Sequence, residues 1–244
     1  MSSHERARQG LSRRSLLGAC IAAGTAALAG CASGSLEAET TVTEEYDGTD
    51  VSEIKVQGIN GDIEIRDAQR ETVQVNGNKR AASEDELDRI TLQADQSDDR
   101  LSLTVDTEDS GFLPFGSSSL QMDLTLTVPE GLHITAETTN GDVGIDTTGA
   151  ESVTVDTTNG DIRLSSSEPA EVRTDTTNGD VSIILPATAE PAISFDTTNG
   201  DTTINGFQAD STESGSAVDR MVGNGTHRVT AATVNGDITI RGEG

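Results

Sequence analysis

Apolar and polar residues alternate along most of the chain with a period of two. In VTVD at 153–156, IRLS at 162–165 and ITIR at 238–241, every second residue is aliphatic. Successive side chains of a strand point to opposite faces, so this alternation predicts short strands with one buried face. The only helix candidate is SEDELDRI at 83–90, and the strand-like run after it argues against a helix. The pattern therefore predicts an all-β domain.

A short motif recurs between the alternating runs, often as TTNGD. From its second copy onward the copies are 19, 19, 21 and 36 residues apart, and the first lies 80 residues before the second. A repeat near 20 residues is typical of stacked repeat architectures. The predicted repeat corners are Asn60, Gly61, Asp62, Asn140, Gly141, Asp142, Asn159, Gly160, Asp161, Asn178, Gly179, Asp180, Asn199, Gly200, Asp201, Asn235, Gly236 and Asp237.

Two architectures are compatible with these corners. Asn-Gly between alternating strands is a strong hairpin signal, which would give an antiparallel meander or sandwich. In a parallel β-solenoid, the same Asn-Gly would form a bend between two faces of one coil. We favour the solenoid, because stacked units benefit from identical bends whereas isolated hairpins do not.

Two segments interrupt the repeat. Residues 108–119 hold Phe112 and Phe115 in a Gly- and Ser-rich loop, which we expect to plug one end of the solenoid, with a contact site as the alternative. A second insertion at 206–227 explains the interval of 36 residues before the last corner.

The chain from about 51 to 242 resembles the adhesin-like toast-rack family of β-solenoid domains, which is related to the head GIN domains. The resemblance rests on GINGD at 58–62, the TTNGD corners and LTVPEGL at 126–132. It implies a single right-handed β-helical domain at the cell surface, without established enzymatic activity, and it indicates no ligand.

The charge balance is strongly acidic. The chain has 42 acidic against 16 basic residues, a formal net charge of −26 at pH 7. Such a chain lacks the cationic surface that nucleic acid requires. It also suggests a protein of a halophilic microbe, in which salt screens the carboxylates and monovalent counter-ions surround them.

The first residues read as an export signal. Arg13 and Arg14 lie in SRRSLL at 12–17, which resembles a twin-arginine signal, and the apolar run at 16–30 is too short to span a membrane comfortably. LAGC at 28–31 looks like a lipobox, so Cys31 is the expected lipidation site. We predict a cleaved signal at 1–30, a lipidated cysteine and acidic Ser/Thr-rich tether at 31–50, and a β-solenoid domain at 51–244.

Catalytic and metal-binding motifs are not evident in the sequence. His133 and His227 have neither a cysteine partner nor zinc-ligand spacing, and no P-loop, HExxH or GxSxG motif occurs. In a solenoid, the corner aspartates 142, 161, 180 and 201 would stack, as would aspartates 156, 175 and 196. Calcium binding is therefore an alternative function, and a polysaccharide-active enzyme is another.

We expect no cofactor and no enzymatic activity. The favoured hypothesis is a lipid-anchored, non-catalytic adhesin-like protein on the extracellular face of the cell membrane, bound to the membrane through Cys31 and to an unidentified envelope or extracellular partner. Asn224 lies in a sequon, N-G-T at 224–226, and would be a glycosylation site in an exported protein.

Overall fold

The computed structural model describes residues 38–107, 120–168, 170–207 and 214–244. Nearly all regular structure in these ranges is strand. The first half contains β1 (Ala38–Asp47), β2 (Glu53–Gln57), β3 (Ile63–Ala68), β4 (Thr72–Ala81), β5 (Ile90–Ser97), β6 (Arg100–Thr107), β7 (Gln121–Pro129), β8 (His133–Glu137) and β9 (Val143–Thr147). The second half contains β10 (Ser152–Asp156), β11 (Ile162–Ser166), β12 (Glu171–Asp175), β13 (Val181–Pro186), β14 (Pro191–Asn199), β15 (Thr202–Asn205), β16 (Ser214–Gly215), β17 (Ala217–Met221), β18 (His227–Asn235) and β19 (Ile238–Glu243).

The strands form two sheets that face each other across one core. The first sheet has the order β1-β4-β7-β3-β9-β11-β13-β19-β15-β16, and the second has the order β17-β14-β18-β12-β10-β8-β2-β6-β5. Each Asn-Gly-Asp corner leads from a strand of the second sheet to a strand of the first. We call such a strand pair with its corner a rung. The rungs are β2/β3, β8/β9, β10/β11, β12/β13, β14/β15 and β18/β19.

Neighbouring rungs are parallel and in register. Val153 of β10 pairs with Ile134 on one side and Val172 on the other, and Leu164 of β11 pairs with Ile145 and Ile183. These aliphatic side chains all point between the two sheets and are buried. The predicted parallel, solenoid-like all-β architecture is therefore confirmed. The corners join two sheets and do not close antiparallel hairpins, so the meander alternative is wrong.

The rungs do not stack in the order of the sequence. Along the stack they follow the order β2/β3, β8/β9, β10/β11, β12/β13, β18/β19, β14/β15. The first corner lies directly on the second, 80 residues later in the sequence, because residues between them form β4 to β7 farther out in the stack. The last rung of the sequence lies between two rungs that precede it.

Antiparallel strands flank the stack at both ends. At one end β1 pairs with β4 and β4 with β7, while β5 pairs with β6. At the other end β17 pairs with β14, and β16 pairs with β15. The end strands therefore depart from the parallel coil that the repeat predicts. β16 and β17 lie in the insertion predicted at 206–227, whereas the Phe112 and Phe115 loop lies outside the described residues.

The prediction that residues 31–50 form a solvated tether was wrong for ten of them. Ala38–Asp47 forms β1, which pairs with β4 along its full length from Ala38↔Ala81 to Asp47↔Thr72. An edge strand needs partners on one side only, and its alternating Thr and Val residues suit an extended backbone. The ordered domain therefore begins before residue 51.

Helix is confined to one turn in the described ranges. The helix α1 (Glu84–Leu87) falls within the doubted candidate at 83–90, and it buries Leu87 against the end of the core. No helix in this part of the chain has the length and apolar character needed to cross a membrane. Arg13, Arg14 and Cys31 lie outside the described residues, so the export signal and lipidation site stay predictions.

Candidate functional site

The corner asparagines form a continuous hydrogen-bonded column along one edge of the stack. Each side-chain amide Nδ2 donates to the Oδ1 of the asparagine on the adjacent rung. The donor–acceptor pairs are Asn140–Asn60 at 2.7 Å, Asn159–Asn140, Asn178–Asn159 and Asn235–Asn178 at 2.8 Å, and Asn199–Asn235 at 2.9 Å. All five bonds point the same way, which requires the same side chain at the same place on every rung.

The corner glycines are required by close backbone packing. A Cβ on Gly160 would lie 1.9 Å from the carbonyl oxygen of Gly141, and one on Gly179 would lie 2.0 Å from that of Gly160. Five of the six corner glycines also have φ between +136° and +158°. Since no side chain fits there, glycine is the only residue that allows rungs to approach to strand spacing.

The corner aspartates stabilise the same stack. Asp142 Oδ1 accepts a hydrogen bond from the backbone N–H of Asp161 at 2.9 Å, and Asp161 Oδ1 accepts one from Asp180 at 2.9 Å. Carboxylates that accept backbone N–H groups form strong, charge-assisted hydrogen bonds. These acids are therefore part of the framework. The expected order of their column was wrong, because Asp237 lies between Asp180 and Asp201.

The two threonines of each TTNGD corner have different environments. The first is buried and its Oγ1 donates to the glycine carbonyl of the adjacent rung, as Thr176 does to Gly160 at 3.2 Å. The second is exposed, as in Thr158 and Thr177, and faces a groove beside the corner column. The sequence repeat thus builds both the framework and the surface next to it.

This surface, which we call the corner groove, runs along the stack and has a volume of about 710 Å³. One wall consists of residues at or near the ends of the second-sheet strands, and the other consists of the exposed corner residues. The groove is lined in part by Gln57, Glu137, Asp156, Asp175, Ala232 and Asp196 on the first wall, and by Thr139, Thr158, Thr177, Val234 and Thr198 on the second. Acidic groups and threonine side chains therefore dominate it.

Two cationic side chains adjoin the acidic wall. Lys55 Nζ lies 2.9 Å from Glu137 Oε1, and Gln57 Nε2 donates to Glu137 Oε2 at 2.7 Å. Burial acts to raise the pKa of Glu137, but these hydrogen bonds and the charge of Lys55 outweigh it, so its pKa is lowered. Arg173 pairs with Asp175, with 2.5 Å between Nη2 and Oδ2.

Asp156 lies between these two paired carboxylates without a cation of its own at hydrogen-bonding distance in the described part of the chain. Burial raises its pKa, and the negative charges of Asp175 and Glu137 add to this effect more than Arg173 and Lys55 offset it. Asp156 is therefore a groove acid whose pKa is raised and whose carboxyl group remains available to hydrogen-bond a ligand.

The acidic wall differs in composition from the one that the sequence predicted. Asp156 pairs with Asp175 in the register of β10 and β12, as expected. Asp175 and Asp196, however, both pair with Ala232, because β18 lies between β12 and β14. The alanine thus separates two carboxylates that we expected to be neighbours. Next to Asp156 on the side away from Asp175, Glu137 extends the wall. The spacing of the repeated aspartates in the sequence did not identify this residue.

The remaining candidate residues do not join this groove. His133 is exposed, with its ring nitrogens 2.8 Å from Ser152 Oγ and 3.1 Å from a Glu151 oxygen. His227 begins β18 and is absent from the groove lining. Over the described ranges, no three His, Cys, Asp or Glu side chains converge in a way that could hold a metal ion. Asn224 is exposed in a turn where its backbone N–H donates to Glu190 Oε2 at 3.1 Å.

Comparisons with known proteins agree with this architecture. Residues 133–241 match the family model described as Toastrack DUF4097. The Toastrack match covers five of the six rungs, from β8/β9 through β18/β19. A comparison with curated proteins finds no match to this chain.

Among solved structures, one has the same fold as this chain over most of its length. A candidate cell adhesion protein from Clostridium sporogenes has a TM-score of 0.60 and 11% identity, over 84% of this chain and 100% of that chain. A candidate adhesin from Bacteroides fragilis has a TM-score of 0.33 and 13% identity, over 82% of this chain and 96% of that chain. At 11% identity, the similarity to the Clostridium sporogenes protein shows a shared fold alone.

Proposed function

We propose that this chain is a non-catalytic adhesin-like protein, lipid-anchored through Cys31 on the extracellular face of the cell membrane of a halophilic microbe. The Toastrack match and the fold shared with a candidate cell adhesion protein support the adhesin-like role. The lipobox-like LAGC at 28–31, the twin-arginine-like signal and the net charge of −26 support the anchoring, the export and the high-salt setting.

The corner groove is the surface through which we propose that the domain binds its envelope or extracellular partner. Glu137, Asp156 and Asp175 lie on three successive rungs, so three carboxylates face a ligand at the strand spacing of about 4.8 Å. An extended polymer with amine or hydroxyl groups would meet the same chemistry on each rung. A catalytic pair instead needs two carboxylates with distinct roles.

Binding to an envelope extract tests the role of the groove. The purified domain with Glu137→Gln, Asp156→Asn and Asp175→Asn should retain less envelope material than the unmodified chain. A matched control carries Glu84→Gln, Asp95→Asn and Glu130→Gln, which remove the same charge from exposed residues outside the groove lining. Equal retention by both variants would exclude the groove as the binding surface.

Single substitutions separate binding from catalysis. We expect Asp156→Asn and Asp175→Asn each to weaken retention partially, because each removes one of several carboxylates that line the groove. Abolition of a polysaccharide-cleaving activity by one substitution would instead favour an enzyme. Membrane fractionation of cells that express the Cys31→Ser variant tests the anchor, and retention of that variant in the membrane fraction would contradict lipidation at this residue.

A further inference from the structure

The last rung of the sequence, β18/β19, occupies a slot between β12/β13 and β14/β15. In the second sheet, Val229 pairs with Val172 on one side and with Ile193 on the other. In the first sheet, Ile238 pairs with Val181 and with Thr202. Removal of this rung would therefore leave two unpaired strand edges facing each other.

The contacts that hold this rung are those of the general repeat. Asn235 donates to Asn178 Oδ1 at 2.8 Å and accepts from Asn199 at 2.9 Å. Thr233 Oγ1 donates to the Gly179 carbonyl at 3.1 Å. None of these contacts depends on which chain supplies the rung, so the equivalent rung of a second molecule would make the same bonds.

A competing arrangement is available within one chain. β14/β15 follows β12/β13 after the short turn at 187–190, and its corner has the same DTTNGD sequence. Pairing of these two rungs closes a much shorter loop than insertion of β18/β19 does, so it is entropically favoured early in folding. While β14/β15 occupies that edge, β18/β19 has no slot in its own molecule.

Side-chain contacts in the folded state favour the arrangement in which β18/β19 lies between β12/β13 and β14/β15. Direct stacking of β14 on β12 would place Asp196 beside Asp175 and Phe195 beside Thr174. In the structure, Ala232 and Ala231 of β18 lie between these pairs. Insertion of the rung removes a like-charge contact and places a small side chain next to a large one.

We propose that β18/β19 is exchanged between two copies of this chain, each copy filling the slot of the other. The hinge is the connection at 223–226, which follows the buried Val222 and is mostly exposed, and in which Gly223 and Gly225 have φ of +57° and +63°. An extended hinge directs the rung into the neighbouring molecule, and reciprocal exchange closes a two-fold dimer. Such an exchange follows from the stacking order and the position of the hinge, and it is independent of the proposed function.

Ionic strength controls the electrostatic repulsion between two copies of the chain. Each chain carries a net charge of −26, so two copies repel at low ionic strength. High salt screens this repulsion. The exchanged dimer should therefore form mainly at high salt and high protein concentration.

Buried thiols test the exchange directly. All chains carry Cys20→Ser and Cys31→Ser. One population adds Thr174→Cys and the other adds Ala231→Cys, two residues that are paired in register and buried. The populations are unfolded together with reductant, refolded in high salt and oxidised. The control mixture combines Thr174→Cys with Val155→Cys, which pairs with position 174 within the body of one molecule.

Disulfide-linked dimers should form in the 174/231 mixture and stay at background in the 174/155 mixture. Equal amounts in both mixtures would overturn the proposal. Light scattering of the unmodified chain, refolded over a range of concentrations in high salt, provides a second measurement. A dimer fraction that rises with concentration and persists after dilution supports exchange, and a monomer at every concentration contradicts it.

Discussion

Asn178 Nδ2 donates to Asn159 Oδ1 at 2.8 Å, across two rungs that are 19 residues apart in the sequence. Asn159 in turn donates to Asn140, so it belongs to two hydrogen bonds of the corner column. Its side chain therefore couples three successive rungs. The recurrence of one residue type at this position is explained by these bonds, since a different side chain would interrupt both.

Replacement of Asn159 should destabilise the domain. Asn159→Ala removes two side-chain hydrogen bonds of the exposed corner column, each worth about 0.5–1.5 kcal/mol, so the free energy of unfolding should fall by about 1–3 kcal/mol. Urea denaturation monitored by circular dichroism measures this loss. Asn224→Ala, in an exposed turn outside the column, is the matched control and should change stability by less than about 0.5 kcal/mol. Equal effects would contradict the column's role.

A methyl group at a corner glycine should be poorly tolerated. Gly160→Ala places Cβ 1.9 Å from a backbone oxygen, so adjacent rungs must separate, at a cost of about 3 kcal/mol or more. Gly131→Ala isolates the contribution of backbone strain, because Gly131 has φ of +77° and no atom near its hypothetical Cβ. This control should cost only about 1–2 kcal/mol. Thermal unfolding of both variants compares them, and similar melting temperatures would exclude close packing as the cause.

Thr174 offers a substitution that should stabilise the fold. Its side chain is fully buried and Oγ1 has no hydrogen-bond partner, so Thr174→Val should raise the free energy of unfolding by about 1 kcal/mol. The same change at Thr176 should have the opposite sign, because Thr176 Oγ1 donates to the Gly160 carbonyl. Denaturant midpoints of the two variants test this contrast. A loss of stability in Thr174→Val would show that the hydroxyl is satisfied after all.

Asp156 and Glu137, two acids of the corner groove, should affect the pH dependence of stability in opposite ways. The pKa of Asp156 is raised on folding, so the folded state holds its proton more tightly than the unfolded chain does. Ionisation of Asp156 therefore reduces stability as the pH rises from below 3.8 through the raised pKa. Asp156→Asn should be more stable than the unmodified chain at neutral pH, and this advantage should shrink in acid and in high salt.

Glu137 provides the control for this pH dependence. Its pKa is lowered on folding, so its contribution to stability is present above the unfolded pKa of about 4.5 and is lost as the pH falls through the folded value. Glu137→Gln should therefore be less stable than the unmodified chain at neutral pH and should converge with it in acid. Melting temperatures between pH 3 and 7 measure both profiles. A shared sign would contradict the assigned environments.

The corners were predictable from the sequence because each residue has one dominant constraint. Gly160 must lack a side chain, Asn159 must both donate and accept, and the alternating residues around them report a buried face. These are local requirements, so they appear as a repeat. The assignment of the exposed and buried members of each threonine pair also follows from alternation once the bend is placed.

The stacking order was not predictable in the same way. The corners that end at Asp201 and Asp237 offer nearly the same bonds to Asp180, so local sequence does not distinguish their positions. The choice depends on non-local pairs such as Ala231 with Thr174 and Phe195, which only the three-dimensional arrangement reveals. β1 was missed for a related reason, because its stability comes from a partner strand and its own composition resembles a linker.

The position of the last rung in the stack also governs when the domain is completed during synthesis. β14/β15 is synthesised before β18/β19. However, β14/β15 cannot take its final position in the stack until β18/β19 is available to pair with it. The stack can therefore be completed only after β18/β19 has been synthesised.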